Sequence, residues 1–226
     1  MRARIARAAQ RAGRDPQSIL LVGVTKTTPP ERVLEAVRAG VTTLAENYVQ
    51  EAREKIPLVG AALEAEALAA RWHLIGHLQT NKAKYCPALF HVVETVDNFG
   101  LVKELAKAAS KQNGMTLDLL VEVNLSDDPA RAGVAPEDAL ALCAQAAQVP
   151  CLSLTGLMGV APYNRDPEAA RPAFRQLRTL WEQLPPENRR ILSMGMSGDF
   201  EIAIEEGATQ VRIGSALFGE RPPRPI

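Results

Sequence analysis

The chain lacks net charge: 26 Lys and Arg balance 26 Asp and Glu. No overall field draws it onto nucleic acid or an anionic membrane, and a small partner is expected instead. Nor does any apolar run approach the roughly 20 residues that span a bilayer, and no hydrophobic signal core follows the N-terminus. A soluble, unexported protein is therefore expected. Cysteine is scarce, with Cys86, Cys143 and Cys151 odd in number and forming no C-x-x-C. That argues against a secreted disulfide framework and suits a reducing cytoplasm. The histidines His73, His77 and His91 lack metal-ligand spacing, so no metal is expected.

What is present is enough for one core. With 226 residues, 46% of them hydrophobic, the chain fits a single domain over residues 1–226 that buries roughly 70 to 75% of its unfolded surface. Met1 to Arg14 carry several arginines and no acid, the composition of a mitochondrial transit peptide. The plainer reading is an N-terminal helix ending at Gly13, with Ile5, Ala8, Ala9 and Ala12 against the body.

Eight short aliphatic or β-branched runs recur: Leu20 to Thr25, Thr42 to Ala45, Trp72 to Ile75, His91 to Thr95, Leu117 to Asn124, Leu152 to Val160, Ile191 to Met196, and Thr209 to Ile213. Between them lie helical patterns, such as Val33, Leu34 and Val37 before Gly40, and Leu101, Val102, Leu105 and Ala109 before Gly114. Runs 1, 5 and 6 are nearly continuous in apolar residues, as in parallel strands buried on both faces. Eight βα units in one domain predict an α/β fold, a single (β/α)8 TIM-type barrel with an extra N-terminal helix. A doubly wound open sheet is the alternative. Pro57 to Ala70, rich in Ala and Glu, reads either as a helix extension or as a surface loop.

In such a barrel the functional residues lie at the C-terminal ends of the strands. Run 1 ends in Val24-Thr25-Lys26-Thr27, and a lysine among apolar walls has the neutral amine that a Schiff-base nucleophile needs. A solvated loop lysine before Pro29-Pro30 is the competing reading. Run 7 leads into Gly195-Met196-Ser197-Gly198-Asp199 and run 8 into Gly214-Ser215. Each is a glycine and hydroxyl turn opening a helix, the usual phosphate site of this barrel. A plain cap by Ser197 or Asp199 would explain the first equally. Arg212 alternates with Val211 and Ile213, so it points into the barrel or its mouth. There it either donates to a pyridine nitrogen or pairs with a carboxylate such as Glu46 or Glu122.

Taken together, Val24-Thr25-Lys26-Thr27, Glu46-Asn47-Tyr48-Val49-Gln50-Glu51, Trp72-His73-Leu74-Ile75-Gly76-His77-Leu78-Gln79-Thr80-Asn81-Lys82, Gly156-Leu157-Met158, Gly195-Met196-Ser197-Gly198-Asp199 and Val211 through Gly219 resemble the pyridoxal phosphate homeostasis protein family over most of the chain. The resemblance implies the barrel of the alanine racemase N-terminal domain, with pyridoxal 5'-phosphate (PLP) held as a Schiff base on Lys26. It also implies a ring nitrogen facing Arg212, a phosphate near Ser197, Gly214 and Ser215, and Asn47 beside the cofactor, although Asn47 also reads as a helix cap. Ala45, Thr25 and Arg131 stand where the family often has glycine, serine and lysine. Arg131 would alter a salt bridge or secondary cofactor contact, and His77 falls in a loop at the mouth.

The resemblance further implies a non-catalytic, cytoplasmic and monomeric PLP carrier that buffers the cofactor or passes it to apo PLP-dependent enzymes. An amino-acid racemase is the alternative. It needs a second base, which alanine racemases take from another domain. With the chain ending at Ile226, that base is expected to be Tyr48, Tyr85, Tyr163 or a histidine. A cofactor-free Schiff-base aldolase is a third possibility, distinguished by its lack of colour.

Overall fold

Strands buried on both faces must be covered on both, and here the inner cover is the opposite wall of a closed cylinder. A computed structural model describes residues 1–112, 114 and 116–219. The tail of the expected domain, residues 220–226, lies outside the described residues. The chain runs α1 (Arg2–Arg11), β1 (Leu20–Val24), α2 (Pro30–Arg38), β2 (Thr43–Glu46), α3 (Val49–Ala65), β3 (Arg71–Leu74), α4 (Cys86–Leu89), β4 (Val92–Val96), α5 (Phe99–Ala109) and β5 (Leu117–Asn124). It continues with α6 (Pro136–Ala146), β6 (Leu152–Val160), α7 (Arg171–Glu182), β7 (Ile191–Ser193), α8 (Phe200–Glu205), β8 (Gln210–Ile213) and α9 (Ser215–Phe218).

All eight strands are parallel and each pairs with its sequence neighbour. β8 returns to β1 with Val22 opposite Arg212, closing the barrel. Neighbour-to-neighbour order with closure removes the doubly wound alternative. The main core lies between strands and helices, among residues such as Leu44, Leu74, Leu105, Leu119 and Phe174. Val92, Leu120 and Met158 form a second, separate apolar cluster inside the cylinder.

The N-terminal helix forms, with Ile5, Ala8 and Ala9 buried, and α1 is tied to α8 by Arg4–Glu201 and Arg11–Glu205 ion pairs. α3 runs through Pro57 to Ala65, whereas residues 66–70 leave the helix in a largely exposed turn and loop, so Pro57 to Ala70 is helix extension in its first part and surface loop in its last. β7 stops at Ser193 rather than Met196, because Gly195 turns at φ +91 and meets α8. A Cβ there would stand 2.5 Å from Ala203 Cβ, so glycine alone permits this approach. Among the described residues no helix is long and apolar enough to cross a membrane.

Candidate ligand-binding site

Lys26, Asn47, Ser197, Arg212, Gly214 and Ser215 all line one cavity of ≈ 610 Å³. They come from the C-terminal ends of β1, β2, β7 and β8, the functional end of such a barrel. Val24, Ile75 and Val160 supply apolar wall.

Lys26 lies two residues past the end of β1, after the buried Thr25, and is half-buried. Both of its flanks are pinned. Lys55, buried on α3, donates to the Thr25 carbonyl at 2.6 Å, to Glu46 Oε1 at 2.7 Å and to Glu51 Oε1 at 2.6 Å. The Thr25 hydroxyl donates to Glu46 Oε1 at 2.6 Å, and the Thr27 backbone N–H to Glu51 Oε1 at 2.6 Å. Thr27 sits at φ +59, a left-handed backbone costly for a β-branched residue, and the Glu51 bond helps hold it there. Burial pushes the Glu46 carboxyl above its usual range against the pull of the Lys55 ammonium.

Asn47 is positioned by a contact that forbids a side chain. A Cβ on Gly76 would lie 2.1 Å from the Asn47 carbonyl oxygen, so β3 and β2 can meet here only through glycine. Asn47 Oδ1 is buried with no hydrogen-bond partner, an acceptor kept from water. The two glycine and hydroxyl turns also meet, since the Ala216 N–H donates to Ser197 Oγ at 3.4 Å. Asp199 does not cap α8 with its side chain. Its carboxylate takes the Met196 N–H at 2.6 Å, tightening the turn that presents Ser197.

Arg212 points into the barrel and is 3% exposed. Its Nη1 donates to Ser193 Oγ at 2.6 Å and its Nη2 to the Gly159 carbonyl at 3.0 Å. The nearest carboxylate is neither Glu46 nor Glu122: it is Glu94, with Oε2 at 4.0 Å. Glu94 is fully buried, and accepts from Ser193 Oγ at 2.6 Å, Gln210 Nε2 at 2.7 Å and His73 Nδ1 at 2.6 Å. Burial would push this carboxyl up, but the His73 and Ser193 hydrogen bonds and the Arg212 charge outweigh it and hold it below its ordinary value. Burial lowers the Arg212 guanidinium from its usual pKa, against Glu94, Glu122 and Asp199, and it stays a cation.

Glu94 and Ser193 escaped the sequence reading, although Glu94 had a usable signal. It alternates with Val93 and Thr95 inside an apolar run, the pattern that singled out Arg212. Lys55 had none, because Glu51 and Lys55 at i,i+4 read as an ordinary helix surface pair. Arg131 lines the cavity and is exposed. His77 is 60% exposed in its side chain, with Nδ1 3.7 Å from Asp97. Among the described residues, no three His, Cys, Asp or Glu side chains gather to hold a metal.

The profile of the family described as alanine racemase, N-terminal domain, matches residues 1–222. Closed barrel and profile together define the class, a barrel of the alanine racemase N-terminal type. The chain is 42% identical over 221 residues to the pyridoxal phosphate homeostasis protein of Aquifex aeolicus, covering 96% of this chain and 94% of that one. It is 41% identical over 224 residues to that of Vibrio cholerae, covering 97% and 92%. The solved structure of PipY from Synechococcus elongatus with PLP bound superposes with a TM-score of 0.79 at 36% identity, covering 95% of this chain and 100% of that one. This chain belongs to the pyridoxal phosphate homeostasis protein family.

Proposed function

We propose that the chain, as a single barrel domain over residues 1–226, binds PLP in the mouth cavity and links it covalently through the Lys26 amine. In this reading it buffers the cofactor or passes it to apo PLP-dependent enzymes in the cytoplasm, as a monomer without robust catalysis of its own. The observation that carries this is the meeting of Lys26 from β1 and Arg212 from β8 with both hydroxyl turns in one cavity.

The residues present fit the group. Its phosphate matches the joined turns, where Ser197 and Ser215 offer hydroxyl donors and no atom stands within 4 Å of a Cβ at Gly198, leaving space for an anion. Its ring nitrogen is an acceptor, and Arg212 has five N–H donors, of which the bonds to Ser193 and Gly159 engage two. PLP supplies an aldehyde that condenses with a primary amine and a ring that can draw electrons from it. Lys26 provides the amine. Arg212 donates without giving up its proton, so the ring nitrogen stays unprotonated and the ring remains a weak electron sink. That suits holding and release better than carbanion chemistry.

The racemase alternative needs a second base facing the ligand. Of the three tyrosines, Tyr163 lines the cavity, but it is 90% exposed and too well solvated to act as a fixed base. His73 is committed to Glu94 beneath the cavity, and His77 is engaged outside it with Asp97.

The test is the absorbance spectrum of wild type and Lys26→Ala with and without added PLP. A band at the visible edge in wild type, absent from the variant, is the expected result. No band with excess PLP overturns the reading, and Lys26-dependent racemisation of a common amino acid overturns the carrier assignment.

A further inference from the structure

A buried guanidinium needs a countercharge and a fixed orientation, and in this barrel the two are supplied by different residues. Glu94 supplies charge from 4.0 Å without bonding Arg212 directly. Ser193 stands between them. A hydroxyl has one proton and two lone pairs: this one donates to Glu94 Oε2 at 2.6 Å and accepts from Arg212 Nη1 at 2.6 Å and Gln210 Nε2 at 2.9 Å, so its direction is fully determined. Gln210 and His73 fasten the other carboxylate oxygen, and the Gly159 carbonyl fastens Nη2. A direct two-pronged arginine–carboxylate pair would take two parallel donors and turn the plane toward Glu94. The hydroxyl relay balances the charge and leaves the remaining guanidinium protons for the cavity that Arg212 lines.

We propose that Ser193, backed by Glu94, is a positioning residue that fixes the Arg212 donor edge against a ring-nitrogen acceptor, and that this relay makes the site selective for ligands bearing such a nitrogen. The inference rests on the PLP reading above, and its consequence is separable from covalent linkage at Lys26. Removing the relay lowers affinity for a ligand whose ring accepts a hydrogen bond and leaves unchanged the affinity for an equally shaped ligand whose ring does not.

The experiment is a spectrophotometric titration of the full chain with PLP and with its 1-deaza analogue, in which C–H replaces the ring nitrogen, for wild type, Ser193→Ala and Glu94→Gln. Wild type is expected to prefer PLP by about tenfold, the worth of one charge-assisted hydrogen bond. In Ser193→Ala the preference collapses toward one, through weaker PLP binding with the analogue unaffected. A merely structural role for Ser193 would weaken both ligands alike and keep the ratio. An unchanged ratio, or a wild type that binds PLP without preferring it to the analogue, overturns the inference and spares the cofactor reading. A wild type that binds no PLP sinks both. Should Ser193→Ala not fold, Glu94→Gln carries the same prediction, because it keeps the size of the side chain while removing the charge that orients the hydroxyl.

Discussion

Glu122, on the inner face of β5, is 8% exposed, and its Oε2 is buried with no hydrogen-bond partner. Burial pushes its carboxyl from 4.5 up to about 7, with Asp97 and Glu94 adding to the rise and Arg212 and Arg131 opposing it. Between those two values the unfolded chain has released this proton and the folded chain still holds it. Stability from this group is therefore complete below pH 4.5 and is lost as pH rises toward 7. Glu122→Gln, neutral at every pH, is expected to be more stable than wild type at pH 8 by up to about 3 kcal/mol, with the difference shrinking toward zero near pH 4. Urea unfolding at the two pH values checks it, and a difference that does not change with pH would refute it. Arg212 was legible in the sequence because a charge alternating with Val211 and Ile213 has one place to point. Its partner was not, since Glu46, Glu94 and Glu122 all lie in apolar strand contexts, and strand register decides which one faces the arginine across the barrel.

At the scale of elements, the link between the β1 loop and α3 runs through one buried ammonium. Replacing it by Lys55→Met leaves Glu46 buried with its charge unpaired, which is expected to cost about 3 to 5 kcal/mol at neutral pH and less in acid, where Glu46 takes up a proton. On the proposed function it should also slow the linkage of PLP to Lys26, whose flanking residues lose their anchors. Urea unfolding at pH 7 and pH 5, together with the rate at which the visible band appears, tests both effects. Strands and most helices were legible because each aliphatic run is bounded by a break and followed by 3.6-residue spacing. The end of β7 was not, because Gly195 turns away for the sake of α8, a tertiary contact that no local pattern records. The course of α3 through Pro57 was ambiguous for the opposite reason: local chemistry disfavours proline within a helix, and the apolar positions Val59 and Leu63, buried on the helix, override it.

For the molecule as a whole, a formal net charge of zero at pH 7 removes the mutual repulsion that keeps a chain dispersed. Light scattering of the cofactor-free protein is expected to be greatest near neutral pH and to fall by pH 9. A flat profile would show that some local feature of the surface sets solubility instead. Closure of the barrel was legible as a count of eight βα units, while the pairing that performs it, Val22 with Arg212, joins residues from opposite ends of the chain and needed coordinates. Below the mouth, the axis of the cylinder is filled first by the Glu94 network and then by Val92, Leu120 and Met158, each at most 1% exposed. Among the described residues, the cavity is therefore closed below and open at the mouth. On the proposed function, an arriving amine and a departing cofactor would share that mouth in single file, and a recipient taking PLP without its release to water would have to stand at the same threshold.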